Sequence, residues 1–296
     1  MILIKEAAER IRAGELVAFP TETVYGLGAN ALDAAAVAKV YELKGRPPAS
    51  PLIVHVASIE MARSLVTEWP PQADQLAHKY WPGPLTLVLP KISAIPDIVT
   101  AGLPTVGIRV PNHPLALALI REAGVPIAAP SANRFTGLSP TTAEHVREAF
   151  GDAVPVLDGG HCRVGIESTV VSITSGKVTL LRPGMISISD LELASAPASD
   201  TAHPAPGMHH RHYSPRTPLT LSKQPDPRGA YLWIKQPATA ERSIQMPSTP
   251  ATYAAQLYSI LHDLDREAWP VISVEPPPDT VEWAAVLDRL QRASAK

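Results

Sequence analysis

The sequence is poor in cysteine and carries almost balanced charge. Its 296 residues include one cysteine, Cys162, which excludes an internal disulfide and a zinc site built from cysteines. Lys and Arg number 26 against 28 Asp and Glu, so the net charge of −2 provides no overall positive field for nucleic acid, although a local basic patch stays possible. No apolar run is long enough to span a bilayer and no signal-peptide pattern precedes the first helix, so we expect a cytoplasmic protein without membrane partners.

The common nucleotide-binding motifs are also missing. Gly26–Ala31 approaches the dinucleotide fingerprint, but its glycines come several residues after the strand-like run Leu16–Phe19, and no second strand precedes the expected acidic residue. No Walker A sequence occurs, since Gly176–Lys177 lies in a predicted hairpin without the upstream glycine. A nucleotide would have to bind through residues outside these two motifs.

Proline, by contrast, is abundant. Many of the 32 prolines stand where strands end, and others crowd between Pro197 and Pro227, where helical and strand periodicity is lost. This pattern predicts three segments: a large domain over residues 1–190, a linker over 191–218 and a small α/β domain over 219–296. The second domain's predicted elements are strands at Ala230–Ile234 and Val271–Val274 and helices at Thr252–Glu267 and Thr280–Arg292.

Strand-like runs alternate with helical patterns in the first domain and follow one another near its end. This order predicts an α/β fold with an open, twisted, mixed sheet. The predicted helices are Ile4–Ala13, an Ala-rich helix from Asp33 to Leu43, Pro71–Tyr80, His113–Ala123 and Thr142–Phe150. The predicted strands are Leu16–Phe19, Leu52–Val56, Leu85–Lys91, Thr105–Val110, Val125–Ala129, Val154–Leu157, Thr169–Ile173 and Lys177–Leu181.

Two stretches carry most of the chemistry. Pro20–Asn30 (PTETVYGLGAN) combines hydroxyls with two glycines, and Lys44–His55 (KGRPPASPLIVH) places Lys44 and Arg46 on a loop that leads into an apolar run. Glycine lets the backbone approach a ligand closely, and paired cations suit phosphate or carboxylate. We therefore expect an enzyme of small anionic substrates, with a site built from loops after strands.

Further polar residues stand at the ends of predicted strands, where open α/β sheets bind ligands. Each alone could be a helix cap, a satisfied hydroxyl or a surface arginine, and His55 alone could be a core histidine. Together they favour a binding site. They are Arg109, Ser131, Asn133, Ser139, Glu167, Ser168 and Arg182, with Tyr213 and Arg216 in the linker able to fold back. Glu22 and Glu167 are the nearest carboxylates, and nothing pairs them as an acid and a base. The cluster His209–His212 lacks the partners of a structural metal site.

In combination, eight ordered motifs resemble the YrdC-like domain of the threonylcarbamoyl-AMP synthase family. They are PTETVYGLGAN, KGRPPASPLIVH, WPGPLT, VGIRVP, APSAN, SPTTAEHV, IESTVV and LRPG. The resemblance covers about residues 4–187 and continues through PGMHHRHYSP (Pro206–Pro215), similar to the interdomain linker of the two-domain form. It implies an open sheet with a concave site and a small Rossmann-like C-terminal domain, which here is shorter than usual.

The resemblance also implies a reaction. Such enzymes join L-threonine, bicarbonate or CO₂, and ATP into L-threonylcarbamoyl-AMP and pyrophosphate, and the product is passed on for tRNA modification. This nucleotidyl transfer depends on positioning and charge neutralisation rather than on a covalent nucleophile. Mg²⁺ is expected to enter with ATP, held by the phosphates rather than by a protein metal site. The product is expected to reach a tRNA threonylcarbamoyl-transferase complex, and direct RNA binding is possible but not required.

Site roles carried over from the family fall into two groups. The positions that resemble threonine ligands are Thr23, His55, Arg109, the backbone at Ala129, and Ser168. The positions that resemble ATP ligands are Arg46, Ser50, Thr105, Ser131, Ser139, Arg182 and Tyr213. Lys44 and Arg46 are the expected catalytic cations, and Ser50 departs from the more common asparagine. Two alternatives stay open: an RNA-binding module, and carbamoyl transfer in metalloenzyme maturation, whose proteins carry cysteine-rich zinc modules that one cysteine cannot build.

Overall fold

A computed structural model describes residues 2–174, 177–191 and 211–295. The first sheet has eight strands, numbered along the chain. Their bounds are β1 Val17–Phe19, β2 Gly26–Asn30, β3 Ile53–His55, β4 Leu85–Pro90, β5 Thr105–Arg109, β6 Ile127–Ala128, β7 Thr169–Thr174 and β8 Lys177–Arg182. Their order in the sheet is β1-β2-β6-β3-β5-β4-β7-β8. The pairs β3–β5 and β4–β7 are parallel and the other neighbours antiparallel, which confirms the mixed sheet.

Helices pack around this sheet. They are α1 Ile4–Arg12, α2 Ala34–Lys44, α3 Ile59–Arg63, α4 Pro71–Tyr80, α5 Asp97–Thr100, α6 Pro114–Ala123 and α7 Ala143–Phe150, the last followed by a 3₁₀ turn at Gly151–Ala153. The carboxylate of Asp33 accepts the N–H groups of the second and third residues beyond it and so caps α2. The helix ends at Gly45, whose φ of 64° is left-handed. Lys44 therefore lies in the last helical turn, and Arg46 follows directly after it.

The second sheet is small and parallel. Its strands are β9 Leu219–Leu221, β10 Ala230–Trp233, β11 Arg242–Gln245 and β12 Ile272–Val274, in the order β11-β10-β12-β9. The flanking elements are α8 Pro250–Glu267, a 3₁₀ turn at Val281–Trp283 and α9 Ala284–Ser294. All its strand pairs are parallel, which confirms the small Rossmann-like domain. No helix in the described ranges is long and apolar enough to cross a membrane.

Several predictions of individual strands were wrong. Val154–Leu157 is not a strand, and only Val156 forms a bridge, with Ala18. Pro155 inside this run has no N–H to donate to a sheet. The predicted strand Val125–Ala129 shrinks to the two residues of β6, because prolines stand on either side of it. The strands β9 and β11 were missed altogether.

The two glycines of the first motif have a structural role that the sequence analysis missed. They belong to β2, a strand paired with β1, rather than to a loop. A methyl group on Gly28 would lie 2.9 Å from both a ring carbon of Phe19 and the side chain of Ile127. Gly28 is therefore required for packing against Phe19, whereas Gly26 lies at the candidate site described below.

The domains share a core. Val24, Leu138 and Ile166, from loops of the first domain, belong to the same apolar cluster as α8 and α9. The second domain therefore packs directly on the loops that build the site. Residues 192–210, which hold most of the predicted linker and part of its histidine cluster, lie outside the described residues, and the predicted domain boundaries stay predictions.

Candidate active site

A small cavity lies where the carboxyl ends of β3 and β5 meet. Its volume is about 50 Å³, which suits a few water-sized groups rather than a nucleotide. The lining residues come from strands and loops of the first domain and from the linker. They are Thr21, Thr23, Val24, Gly26, Arg46, Ile53, His55, Arg109, Ala129, Pro130, Ser131, Glu167, Ser168, Arg182, His212 and Tyr213. Three arginines thus face one enclosed space together with several hydroxyls.

His55 and Arg109 lie opposite each other on the parallel strands β3 and β5. The ring of His55 packs edge-on against Phe19, with 5.8 Å between ring centres. Burial and the charge of Arg109 lower the pKa of His55 to about 3. His55 is therefore neutral at pH 7, and Arg109 is the cation of this pair.

The guanidinium of Arg109 is held on three sides. Nε donates to the carbonyl of Gly83 at 3.2 Å and Nη1 donates to Thr23 Oγ1 at 2.9 Å. Nη2 lies 2.7 Å from a carboxylate oxygen of Glu22, and both side chains are almost completely buried. Glu22 is thus a buried counterion of Arg109, a pairing that the sequence did not indicate.

Arg182 and Ser168 form the opposite wall. Arg182 donates from Nε and Nη2 to the carbonyl oxygen of Ser168, at 3.1 and 2.9 Å, and from Nη2 to its hydroxyl at 3.1 Å. The hydroxyl of Ser168 also hydrogen-bonds with that of Thr86 on β4, at 2.8 Å. This places Arg182, at the end of β8, against the start of β7.

Arg46 and Lys44 differ in where they lie. Arg46 lines the cavity and donates from Nη2 to the carbonyl of Pro51, while its Nε makes no hydrogen bond to any described residue. Burial lowers the pKa of Arg46 to about 10, so it is still charged at pH 7. Lys44 lies behind the cavity wall and donates from Nζ to the carbonyls of Ser131 and Asn133, at 2.6 and 2.5 Å. Lys44 therefore supports the loop that carries Ser131.

The end of the linker covers the cavity. Tyr213 is 1% exposed and adopts a left-handed φ of 59°. The next residue, Ser214, forms a bridge with Gly137, and its N–H donates to the carbonyl of Thr136. The hydroxyl of Tyr213 makes no hydrogen bond within the described part of the chain, although it is buried. Buried hydroxyls normally have a partner, so this one is available to a ligand.

Residues of the second domain contact the wall of the same cavity at Glu167, a residue of the first domain. Ser139 donates to one carboxylate oxygen of Glu167 at 2.5 Å, and Tyr258 and Arg289 donate to the other at 3.2 and 2.8 Å. Burial alone would raise the pKa of Glu167, but Arg289 and Arg182 hold it below its usual value. Glu167 is therefore an ionised carboxylate in the cavity wall.

The structure gathers most of the expected site residues, and four of them do not line the cavity. Lys44 supports a loop, and Ser139 is fully buried against Glu167. Ser50 is buried in the loop before β3. Thr105 begins the strand that Arg109 ends, about 13 Å away at 3.3 Å per residue. The roles of all the predicted site residues stay predictions. Lining residues that the sequence analysis did not select are Thr21, Val24, Gly26, Ile53, Pro130 and His212; Glu167 was noted only as a nearby carboxylate.

The side chains at the cavity do not form a metal-binding site. Glu22 is paired with Arg109, and Glu167 with Arg289. In residues 2–174, 177–191 and 211–295, no three His, Cys, Asp or Glu side chains are grouped to hold a metal ion. The donor set fits an anion, and a magnesium ion would depend on ligands that the anion itself brings.

The mixed sheet, the arginine-lined cavity and the small parallel domain that closes on it define a two-domain YrdC-like protein. A family model described as telomere recombination matches residues 9–184, and a model described as threonylcarbamoyl-AMP synthase, C-terminal domain, matches residues 184–295. The chain belongs to the threonylcarbamoyl-AMP synthase family.

Relatives match over nearly the whole chain. The threonylcarbamoyl-AMP synthase of Pyrococcus abyssi is 41% identical and covers 98% of this chain and 94% of its own. That of Bacillus subtilis is 42% identical, over 98% of this chain and 92% of its own. The crystal structure of P. abyssi Sua5 complexed with L-threonine superposes with a TM-score of 0.91 at 40% identity, covering 98% and 94% of the two chains. Both domains therefore have counterparts in these relatives.

Proposed function

We propose that this protein is an L-threonylcarbamoyladenylate synthase, a nucleotidyltransferase. The reaction joins L-threonine, bicarbonate and ATP into L-threonylcarbamoyl-AMP and releases pyrophosphate and water. The observation that carries the proposal is the convergence of Arg46, Arg109 and Arg182 on one buried, hydroxyl-lined cavity. Its support from the comparisons is the synthase name of relatives that match both domains and the threonine complex of P. abyssi Sua5.

The threonine half of the site would lie around Arg109. Its guanidinium suits the threonine carboxylate, and Thr23, Ser168 and the backbone at Ala129 would place the rest of the amino acid. The carboxylate of Glu22 already occupies one side of Arg109, so threonine would use the remaining donors or displace Glu22. His55 is neutral and can accept or donate one hydrogen bond without repelling the ammonium group.

The nucleotide half would lie between Arg46 and Arg182. These cations would neutralise the triphosphate, with Ser131 and Tyr213 as further contacts. Lys44 would act by fixing the Ser131 loop. A cavity of about 50 Å³ is too small to enclose ATP, so the nucleotide would extend beyond it or displace Tyr213. Ser50, Thr105 and Ser139 stay predictions that a nucleotide complex would test.

The chemistry then follows from positioning and charge. The ammonium group of threonine loses a proton, and the resulting amine attacks CO₂, which forms from bicarbonate by loss of hydroxide. The adduct loses a second proton to give a carbamate, and one of the two protons joins the hydroxide to form water. A carbamate oxygen attacks the α-phosphorus of ATP, the bond to the β-phosphate bridging oxygen breaks, and pyrophosphate leaves. Arginines at fixed positions stabilise charge as it moves onto the leaving pyrophosphate. Magnesium, when bound with ATP, would neutralise phosphate charge further.

Two related functions compete with this one. An RNA-binding module would need a basic, aromatic surface, and the arginines described above are buried rather than exposed. Carbamoyl transfer in metalloenzyme maturation is less favoured, because the relatives named above match the C-terminal domain as well. Transfer of the product to a tRNA threonylcarbamoyl-transferase complex, and the cytoplasmic location, stay predictions.

The test is pyrophosphate release from ATP, with threonine, bicarbonate or Mg²⁺ omitted in turn and serine substituted for threonine. Release should require threonine, bicarbonate and ATP together and should fall at least tenfold in Arg46→Ala. The control is Arg228→Ala, an exposed arginine of the second domain that pairs only with Asp226 among the described residues. ATP turnover that ignores threonine would contradict the proposal, and RNA binding would then be measured.

A further inference from the structure

Arg289 is a fully buried arginine that α9 of the second domain inserts into the first. Its Nε lies 2.8 Å from Glu167 Oε2, and Nη1 donates to the carbonyl of Pro183 at 2.9 Å. The guanidinium carbon lies 5.2 Å from the ring centre of Tyr213, within the range of a cation–π contact. One side chain thus contacts the cavity wall, the end of β8 and the residue that covers the site.

Glu167, the partner of Arg289, places a negative charge in the wall of a site that is proposed to bind a polyanion. Its carboxylate lines the cavity beside Ser168 and Arg182 and is ionised. An unpaired carboxylate there would repel a triphosphate and would itself be costly to bury. Arg289 pairs with both Glu167 and Asp288, and Arg182 also lies close enough to lower the pKa of Glu167. Removal of Arg289 would leave the buried carboxylate of Glu167 without its ion-pair partner.

We infer that Arg289 is a positioning residue through which the second domain completes the nucleotide half of the site. It neutralises Glu167, keeps that carboxylate bonded to Ser139 and supports the ring of Tyr213 from below. The inference rests on the proposed function and adds to it a role for the C-terminal domain. No reacting atom is assigned to Arg289, which acts through Glu167 and Tyr213.

The inference predicts an effect specific to the anionic substrate. Arg289→Met should weaken ATP binding at least tenfold, measured by calorimetry with a non-hydrolysable ATP analogue on the full chain. The KM for ATP should rise by a similar factor, while the KM for threonine, which carries no net charge, should change less than threefold. If Arg289 had a purely structural role, the substitution would lower the melting temperature and weaken the binding of both substrates alike.

A second variant tests the charge argument directly. In Glu167→Gln/Arg289→Met both charges are gone, so ATP affinity should recover by at least threefold relative to Arg289→Met. Coupled residues are expected to show this non-additivity, whereas independent damage would add. Arg289→Lys keeps the charge without the forked geometry and should bind ATP more tightly than Arg289→Met.

The matched control is Arg292→Met, one turn further along α9. Arg292 pairs with Asp288 on its own helix, and the ATP affinity of this variant should stay within twofold of wild type. If Arg289→Met does not fold, ATP affinity is measured in the double variant and in Arg289→Lys. An affinity at least tenfold weaker than wild type in both variants would overturn the inference. Unchanged ATP binding in folded Arg289→Met would overturn it as well. Wild-type protein without threonine-dependent pyrophosphate release would instead contradict the proposed function.

Discussion

Arg109 and Glu22 form a buried ion pair beside the candidate threonine position, with Nη2 and Oε2 2.7 Å apart. Arg109 is thereby fixed before any substrate binds, since Gly83 and Thr23 hold its other nitrogens. A preorganised guanidinium loses little freedom when it meets a carboxylate. The pair also means that Arg109 has a structural role beside its proposed role in binding.

Arg109→Met should abolish measurable threonine binding and lower the free energy of unfolding by about 3–5 kcal/mol, because Glu22 would stay buried without its partner. Urea unfolding and calorimetric titration with threonine measure the two effects. Arg163→Met is the control, as Arg163 is exposed and donates to the carbonyl of Asn112. Wild-type threonine affinity in a folded Arg109→Met variant would contradict the assignment.

Lys44→Met should destabilise the protein and raise the KM for ATP together. The carbonyls of Ser131 and Asn133 would lose their donor, at a cost of about 1–3 kcal/mol for each unsatisfied group. The loop that carries Ser131 would then be less well placed. Lys39→Met offers a comparison, because Lys39 also donates to a backbone carbonyl, that of Gly14, but is exposed. Equal effects from the two substitutions would show that Lys44 has no special part in the site.

Acidification should destabilise the interface between the domains. His145 and His262 stack across it with 3.8 Å between ring centres, and burial, together with His262, lowers the pKa of His145 to about 3. Unfolded histidine titrates near 6.5, so between pH 6.5 and 3 the unfolded chain binds more protons and stability is lost as pH falls. From pH 7 to pH 5 the loss from His145 is about 2 kcal/mol at 1.36 kcal/mol per pH unit.

His145→Phe tests this directly. Phenylalanine keeps a ring against His262 but cannot take up a proton, so urea midpoints at pH 7 and pH 5 should differ less in the variant than in wild type. The comparison between pH values cancels the constant cost of losing the contact with the N–H of Thr141. An equal drop in both proteins would show that His145 does not carry the pH dependence.

Local signals were enough to predict much of the fold. The start of α2 at Asp33 follows from capping chemistry, and its end lies one residue beyond the predicted Leu43, so Lys44 belongs to the last helical turn rather than to the loop. Strand ends were less predictable, because Pro155 interrupts pairing inside an apolar run. The glycines of β2 look like ligand-binding glycines in sequence, and only the position of Phe19 shows that Gly28 makes room for its ring.

Site residues that lie within a single sequence motif were predictable. Contacts between segments that are distant in the sequence were not. Ser139, which the motif predicts as a nucleotide ligand, donates to Glu167, a partner that the motif does not indicate. The partners of Glu22 and Glu167 are set by tertiary packing. Arg289 lies far along the chain in a helix of ordinary composition, and no local pattern distinguishes it from Arg292 on the same helix, which is only partly buried. Its burial depends on how the two domains dock.

The measurement that tests the account most directly is incorporation of labelled bicarbonate. The full-length protein would be incubated with ATP, L-threonine and ¹³C-bicarbonate. The nucleotide products would then be separated and their masses measured by mass spectrometry. The proposed reaction should give a threonine-dependent adenylate that carries one ¹³C, formed together with pyrophosphate. An adenylate without the label, or none while ATP is still hydrolysed, would contradict it.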